Sequence, residues 1–399
     1  PEDGTQLNLY PNELDPSEDA VSVRGVYLQN DVSDDLAAFL TRDSSDRMTF
    51  QDGDNVTPVT LSSLLGVAAS VGAEPVGFPN RDDSEYSFNP ATRTFTISPT
   101  ATSYDFYTEN GVKYTKPTDQ TTVIPDTEGT HFIYFDTSGV LQNTMTWTDD
   151  IVLKYAYVIA LLWDADNDED IYKGDERHGL IMDGRTHLHW HKTFGTSYYS
   201  GLGLNSVLTD EDGSLDTHCQ LGTDAGYIAD EDLPHAISAK TAPAQIAMMY
   251  RSGAAGNWRR DTPTNFPVKP YPSGRLAWNE WTGSTWQQRE ASNNSYICCH
   301  LFVLNDPDQQ WWSIQGQAEY QNLAAARQGA TTELANLVLN GLPAQEILAA
   351  ATLIVQTSNG FTNTVKGRFR STDDGADWLD WRTARVNPTS SPALSLIHI

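Results

Sequence analysis

Cysteine is scarce in this sequence, so no disulfide framework holds the fold together. Only three of the 399 residues are cysteine, namely Cys219 and the adjacent pair Cys298 and Cys299. Neighbouring residues on a strand face opposite sides, so Cys298 and Cys299 are poorly placed to bridge each other. A chain of this length can bury a sizeable core without disulfides, and we expect assembly in a reducing cytoplasm.

Positive charge is also in short supply. The chain has 25 lysines and arginines against 53 aspartates and glutamates, which gives a formal net charge of −28. We therefore expect no nucleic acid and no anionic membrane as a partner, whereas cation binding agrees with this balance.

Long apolar runs are missing as well. No run approaches the roughly 20 residues of a membrane-spanning helix. The opening PEDGTQLNLYPNELDP has neither the basic nor the apolar region of a signal peptide. We expect neither membrane insertion nor a secretion signal.

The common catalytic motifs are absent too. The sequence has no Gly-x-Ser-x-Gly, no His-Glu-x-x-His and no phosphate-binding loop. Carboxylate pairs for glycoside hydrolysis stay open as an alternative, because among 53 acids some pair lies close in space by chance. We predict a protein that is not an enzyme, with no catalytic residues and no required cofactor.

Short strand patterns separated by turn residues fill most of the chain. Asn110-Gly111 and Ser138-Gly139 predict hairpin turns, and the apolar run over 151–164 predicts a central strand buried on both faces. This spacing favours a mainly β fold with antiparallel, β-sandwich-like domains.

Helical patterns are few. In the segment VSDDLAAFL, Ser33 predicts the N-cap of a short helix, which would make the N-terminal module a small α/β unit. From Gln317 the apolar period becomes helical, and Gly329 divides it into two short helices near the C-terminus, the second ending at Gly341 before Pro343.

These patterns predict six parts of the chain: an extended attachment arm over 1–20, a small N-terminal module over 21–65, a connector over 66–85, a β-rich domain over 86–316, an α+β part over 317–387, and a linker or truncated end over 388–399. The closing LSLIHI resembles translated sequencing-adaptor read-through, in which case His398 is not native and we expect the natural protein to be longer.

Three histidines alternate along the chain in a candidate metal site. A strand over 186–193 would place His187, His189 and His191 on one face, opposite Trp190. Strand spacing lets one strand offer two neighbouring histidines to one metal, so a second chain would have to complete the site. Around a three-fold axis the imidazoles would suit Fe, Ni or Zn. The alternative is a solvated polar face.

Two acidic segments are candidate Ca²⁺ loops. The first places acids at alternate positions and again at the twelfth, but Glu169 stands where the sharp turn of such a loop needs glycine. Its acids are Asp164, Asp166, Asp168, Asp170 and Asp175. The second contains Asp210, Asp212 and Asp216 around Gly213. Solvated turns are the alternative for both segments.

Three tryptophans flank a Thr-Gly-Ser turn. Trp278, Trp281 and Trp286 are candidate glycan-contact residues, because exposed aromatic rings on a hairpin can stack on sugars. Cross-strand packing is the alternative.

One turn motif resembles the Asp-box of sialidase propellers. Ser371, Asp373, Gly375 and Trp378 match its Ser-x-Asp-x-Gly-x-x-Trp pattern. In those families the box is a folding element of a hairpin away from the active site, so the resemblance implies a structural turn here.

Five segments resemble one class of proteins in their residues and in their order along the chain. They are 40–66, YSFNPATRTFTISPT, PDTEGTHFIYFDTSG, IYKGDERHGLIMDGRTH and TDDGADWLDWRTARVNPTS. They resemble structural proteins of tailed-bacteriophage virions, especially fibre and appendage proteins, over most of residues 20–390. His187-x-His189-x-His191 also resembles the His-x-His pairs by which some fibre tips hold iron on a three-fold axis.

This resemblance implies a homotrimer that is assembled in the host cytoplasm and becomes part of the virion. It would attach to other virion proteins through its N-terminal region and present β domains to a host-surface glycan or protein. Two alternatives stay open, namely a capsid decoration or head-fibre protein and a tailspike-like glycan depolymerase.

Overall fold

The computed structural model describes residues 75–179, 183–343 and 345–384 with their side chains, and five strands within residues 1–74 by their backbone. The chain divides into two compact units, Pro1–Glu74 and Pro75–Ile399. The division falls inside the predicted connector over 66–85.

The first unit contains a five-stranded antiparallel meander in which each strand pairs with the next. Its strands are β1 (Leu7–Asn8), β2 (Val26–Leu28), β3 (Ala38–Arg42), β4 (Met48–Asp52) and β5 (Asn55–Thr60). The predicted helix after Ser33 is wrong for its final residues, which belong to β3. Pairing of β3 with β2 and β4 outweighs the local capping signal. The rest of the predicted arm and connector lies outside the described residues.

The second unit begins with three small sheets. Their strands are β6 (Ser84–Asn89), β7 (Thr94–Pro99), β8 (Tyr104–Thr108), β9 (Val112–Lys116), β10 (Gln120–Val123), β11 (Gly129–Phe135), β12 (Leu141–Thr144), β13 (Ala156–Asp164) and β14 (Glu169–Asp175), with helix α1 (Asp150–Leu153) before β13. The strand orders are β10-β7-β6, β8-β9 and β12-β11-β13-β14. Hairpins at Asn110-Gly111 and Ser138-Gly139 are confirmed.

Strand β13 is the centre of this half. All nine of its residues are buried, and it pairs on one side with β11 and on the other with β14. The prediction of a central strand buried on both faces is confirmed for 156–164, whereas the start of the predicted range, 151–153, belongs to helix α1. The adjoining core is rich in aromatic rings, and Phe106 stacks on Phe135 with ring centroids 4.1 Å apart.

The remaining strands and two helices form the other half of the second unit. They are α2 (Gly184–Thr193), β15 (Thr196–Gly201), β16 (Leu204–Asn205), β17 (Gly222–Thr223), β18 (Gly226–Asp230), β19 (Leu233–Ile237), β20 (Ile246–Ser252), β21 (Asn257–Thr264), β22 (Ala277–Trp281), β23 (Trp286–Glu290), β24 (Tyr296–Leu304), β25 (Trp311–Tyr320), α3 (Leu323–Asn336), β26 (Ile347–Thr357), β27 (Gly367–Arg370) and β28 (Leu379–Asp380).

The largest sheet has the order β21-β20-β25-β24-β26-β27, with β28 also paired to β26. Among the described strand pairs, the pair formed by β20 and β25 is the parallel one. The sheet runs across the predicted boundary at 316/317, because that boundary lies inside β25. Two- and three-stranded sheets complete this half, with the orders β15-β18-β19, β16-β17 and β22-β23. The prediction of a mainly β fold is confirmed.

Alternation along β24 separates two cores. Leu301 and Val303 belong to one apolar cluster, whereas Phe302 and Leu304 belong to another. Cys298 and Cys299 likewise belong to different clusters, so the prediction that they face opposite sides is confirmed. All three cysteines are free and buried.

Helix α3 replaces the two short helices predicted near the C-terminus. It runs unbroken through Gly329 and begins where the side chain of Asn322 accepts a hydrogen bond from the amide of Ala325. A Cβ on Gly329 would lie 2.2 Å from the ring of Tyr320. Glycine therefore serves close packing here, and the prediction that it interrupts the helix is wrong.

Helix α2 stands where a strand over 186–193 was predicted. The carboxylate of Asp183 accepts hydrogen bonds from the amides of Arg185 and Thr186, which caps the first turn. The strand prediction is wrong because polar residues at alternate positions are also compatible with a helix that has one buried face. No helix in the described ranges is long and apolar enough to cross a membrane.

The burial of β13 leads to a prediction with a matched control. Leu161 is 0% exposed, whereas Leu215 is 59% exposed. Leu161→Ala should lower the free energy of unfolding by about 2–5 kcal/mol through lost burial and a cavity. Leu215→Ala should change it by less than about 0.5 kcal/mol. Chemical denaturation measures both, and equal effects would contradict the assignment of β13 as the core strand.

Candidate functional site

Four separate segments bring histidines and acids together in the second unit. The loop after β14, helix α2, the turn between β18 and β19, and the segment before β26 each contribute. We call the group the histidine–carboxylate cluster and define it as Glu176, His178, His187, His191, Asp230, Glu231 and Glu346. The carboxylates and imidazoles of these residues are 0–9% exposed.

The local folding of each segment explains why these side chains meet. Helical periodicity places His187 and His191 one turn apart on the buried face of α2. Asp230 pairs with Leu233 across a tight turn, in which Glu231 adopts a positive φ of 44°. Gly195, after α2, approaches the carbonyl oxygen of Gln345 so closely that a Cβ would lie 2.5 Å from it.

Glu231 lies among the three imidazoles. Its Oε2 is 3.4 Å from Nε2 of His178 and 3.9 Å from Nε2 of His187, and its Oε1 is 3.5 Å from Nδ1 of His191. Glu346 approaches Nδ1 of His191 to 3.3 Å. Nε2 of His178 is also 3.8 Å from Glu176 and 3.9 Å from Asp230.

These contacts leave most of the polar atoms without hydrogen bonds. Eight buried atoms of the cluster have no hydrogen-bond partner, namely Oε1 and Oε2 of Glu176 and Glu231, Nε2 of His178 and His187, Nδ1 of His191, and Oε2 of Glu346. A buried polar atom without a partner destabilises the fold. The presence of eight such atoms in one place therefore points to a missing partner for the whole group.

The three imidazoles titrate differently because their neighbours differ. Burial, with His178 and His191 nearby, lowers the pKa of His187 well below its ordinary value. Burial also opposes the charged form of His191, but Glu231, Glu176 and Asp230 outweigh it and raise its pKa to about 9. Burial is likewise outweighed at His178, where Asp232 and Glu176 raise the pKa well above its ordinary value.

The acids in the cluster compete for positive charge. Burial and neighbouring carboxylates raise the pKa values of Asp230 and Glu346 well above the ordinary range, and burial raises that of Glu176. Burial acts in the same direction on Glu231, but His191 and His178 outweigh it and lower its pKa. Without further positive charge, the group keeps its charge balanced only by holding protons.

A cavity of about 220 Å³ adjoins the cluster. Apolar side chains, including Phe132, Met145 and Tyr157, line most of it, and Glu176, His191 and Glu346 form its polar end. The ring of Trp147 stacks on His191 with centroids 5.4 Å apart. The cluster therefore has an apolar cavity wall on one side.

A separate buried ion pair supports the loop that holds Glu176 and His178. Arg177 donates from Nε and Nη2 to the two carboxylate oxygens of Asp175, at 2.8 Å each. Its Nη1 donates to the carbonyl oxygens of Arg81 and Ser84 and to the hydroxyl of Ser84. This arginine thus ties β14 to β6 at the edge of the cluster.

The structure brings together two of the three histidines that the sequence singled out. His187 and His191 belong to the cluster, whereas His189 is exposed on the opposite face of α2. Trp190, predicted to pack opposite the histidines, is 41% exposed. The metal assignment for the three histidines stays a prediction.

The first candidate Ca²⁺ loop is occupied by an arginine. Arg259 contacts Glu128 at 2.7 Å and Asp164 at 3.1 Å, and it also pairs with Asp166. Asp170 pairs with Lys173. A guanidinium therefore supplies the positive charge that a cation would bring to this turn.

The second acidic segment also uses its acids within the fold. Asp210 pairs with Arg370 at 2.5 Å, Asp212 accepts from the amide of Ser214, and Asp216 accepts from the amide and hydroxyl of Thr364. These contacts are those of a cross-linked turn.

The tryptophans of the candidate glycan site form a cross-strand pair with one exposed member. Trp281 and Trp286 face each other across β22 and β23, with ring centroids 5.5 Å apart. Trp286 is 8% and Trp281 46% exposed, and Trp278 packs against a core cluster. Of the three, Trp281 offers the most open ring.

The Asp-box-like segment forms a turn after β27. Gly375 has a φ of 83°, and its amide donates to the carbonyl oxygen of Thr372. Asp374 rather than Asp373 accepts from within the turn, at the amide of Ala376. Ser371 accepts from Arg327 of α3, and Trp378 packs against the core.

Sequence reasoning missed the acids of the cluster and His178. Two signals were available for part of it: Glu176 and His178 follow a buried strand directly, and His187 and His191 have the i, i+4 spacing of a shared helix face. Nothing local marked Asp230, Glu231 or Glu346. Comparisons with family models, with curated proteins and with solved structures found no match.

The Arg177 ion pair allows a direct test of its role. Arg177→Met should lower the free energy of unfolding by about 3–5 kcal/mol, because it leaves the buried Asp175 carboxylate unpaired. Arg289→Met is the control, since Arg289 is 56% exposed and pairs with Glu280. It should cost at most about 1 kcal/mol. Denaturant titration measures both, and a loss below about 1 kcal/mol at Arg177 would contradict the assignment.

Proposed function

We propose that this chain is a non-enzymatic structural protein of a phage virion, a fibre or appendage protein that presents β domains for host adhesion. The proposal rests on the sequence resemblance. The main structural observation in its support is the position of the resembling residues in the fold.

The segment IYKGDERHGLIMDGRTH, which carries part of the resemblance, supplies cross-links between distant strands. Tyr172 donates a buried hydrogen bond to Asn305, and the amide of Lys173 donates to Asp306. Arg177 ties β14 to β6, as described above. These side chains of the resembling segment therefore stabilise the fold.

The architecture also bears on the runner-up, a tailspike-like glycan depolymerase. Such spikes are expected to stack short parallel strands at regular intervals. The described strands pair antiparallel except for β20 and β25, and hairpins join many of them. Release of reducing ends from a host polysaccharide, abolished by replacement of one carboxylate, would favour the depolymerase.

The other alternative, a capsid decoration or head-fibre protein, differs in where the chain attaches. We propose attachment to other virion proteins through the N-terminal region and contact with a host-surface glycan or protein through the β domains. Trp281 is the candidate contact residue with the exposed ring.

Labelling of particles tests the attachment. A bulky folded tag fused before residue 1 should prevent incorporation into particles. The same tag inserted at Gly283 should be tolerated, because nothing lies within 4 Å of a Cβ at that turn. Gold labelling in electron micrographs should then mark the tail or its appendages. Label on the capsid would support the decoration protein instead, and incorporation of the N-terminal fusion would contradict the attachment role.

The resemblance also implies a homotrimer, which solution measurements can test. Light scattering of the purified full chain at micromolar concentration should give three times the mass of 44.1 kDa. A clean monomer would contradict the trimer. The measurement should be repeated with the Gly283 insertion, whose mass per chain is known, to confirm the count of chains.

A further inference from the structure

In the part of the chain that the structure describes, the histidine–carboxylate cluster has no arginine or lysine beside its acids, whereas other buried acids have one. Asp164 contacts Arg259, and Asp175 contacts Arg177. Within the described ranges no lysine or arginine forms an ion pair with Glu176, Asp230, Glu231 or Glu346. Four buried carboxylates thus face three imidazoles and one another, an arrangement that is expensive in the absence of a shared positive charge.

The distances within the cluster fit coordination better than hydrogen bonding. Donor and acceptor atoms in hydrogen bonds of this type lie about 2.7–3.2 Å apart. The contacts around Glu231 measure 3.4, 3.5 and 3.9 Å. Two ligand atoms of a tetrahedral zinc, each about 2.0–2.1 Å from the ion, are separated by about 3.4 Å. The contacts of Glu231 with His178 and His191 match this separation.

One histidine is already oriented for such a centre. Nδ1 of His178 lies 2.6 Å from Oδ1 of Asp232, which fixes the ring and leaves Nε2 directed into the cluster. A carboxylate behind a histidine is the usual support of a metal-binding imidazole, because it sets both tautomer and orientation.

We propose that the histidine–carboxylate cluster binds a divalent first-row transition-metal ion, with ligands drawn from its three histidines and from Glu176, Asp230 and Glu231. Imidazole and carboxylate ligands without a thiolate suit Zn²⁺, Fe²⁺, Mn²⁺ or Ni²⁺. Three overlapping sets of three residues each have their ligand atoms within 4.8 Å of one another. They are Glu176 with His187 and His191, His178 with His187 and Glu231, and Glu176 with His178 and Asp230.

The site lies within one chain and needs no three-fold axis. It joins α2 to the loop after β14, to the turn between β18 and β19, and to the segment before β26. Glu176, His191 and Glu346 also border the cavity. The proposal stands apart from the virion role, because it depends only on side chains within the second unit.

Metal analysis of matched histidine variants tests the proposal. The full chain is incubated in turn with Zn²⁺, Mn²⁺, Fe²⁺ and Ni²⁺, desalted, and measured by inductively coupled plasma mass spectrometry. The unmodified protein and His189→Gln should each retain at least one ion per chain of one of these metals. His187→Gln and His191→Gln should lose it. His189 is the control because it lies on the same helix but points to solvent.

Two outcomes would overturn the site. Retention far below one ion per chain in the unmodified protein would do so. Loss of the ion in His189→Gln with retention in His187→Gln and His191→Gln would do so as well, since it would place binding on exposed histidines.

A second measurement guards against variants that fail to fold. Co²⁺ added to the unmodified protein should give visible d–d absorption typical of a low-coordinate site, and Zn²⁺ should displace it. Asp232→Asn leaves every proposed ligand in place and should weaken the affinity for Co²⁺ roughly 10- to 100-fold. A spectrum identical to that of Co²⁺ in buffer, or an affinity that Asp232→Asn leaves unchanged, would contradict the proposal.

Discussion

Burial of negative charge is the constraint on which the second unit depends. The chain carries far more acids than bases, and several of its acids lie inside the fold, where a carboxylate is stable only beside positive charge or several donors. Arg259 meets that need in the turn after β13, and Arg177 meets it after β14. These two arginines connect strands that are distant along the chain, so the same contacts that neutralise acids also fix the arrangement of the sheets. In the histidine–carboxylate cluster, imidazoles rather than guanidinium groups lie beside the buried acids.

Much of the fold could be predicted because its signals are local. Alternation, turn dipeptides and one long apolar run were enough for the hairpins around Asn110 and Ser138 and for β13. Predictions were wrong where one pattern serves two structures. Histidines at every second position suit a strand face, yet His187 and His191 equally suit one face of a helix, and Asp183 at the N-cap decides for the helix. Gly329 looked like a helix breaker because its close contact with Tyr320 is tertiary.

The cluster could be predicted only in part, for a related reason. His187 and His191 lie in one segment, whereas Asp230, Glu231 and Glu346 come from segments that meet only after the sheets have formed. Acids at those positions look like any others in a sequence so rich in them. The same holds for the acidic turn at 164–170, where the sequence shows the carboxylates but Arg259, almost a hundred positions later, determines what they bind.

Helix α2 has a further property that follows from its length of ten residues. Isolated helices shorter than about 12–15 residues are marginal in water, because nucleation is costly and few hydrogen bonds repay it. The amides of α2 therefore owe their protection to docking of the buried face against the cluster rather than to the helix itself. In hydrogen exchange, this segment is expected to behave as a unit of local opening, distinct from the strands of the large sheet. The free energy of this local opening would report how firmly the four segments are joined. It is expected to be well below the free energy of global unfolding.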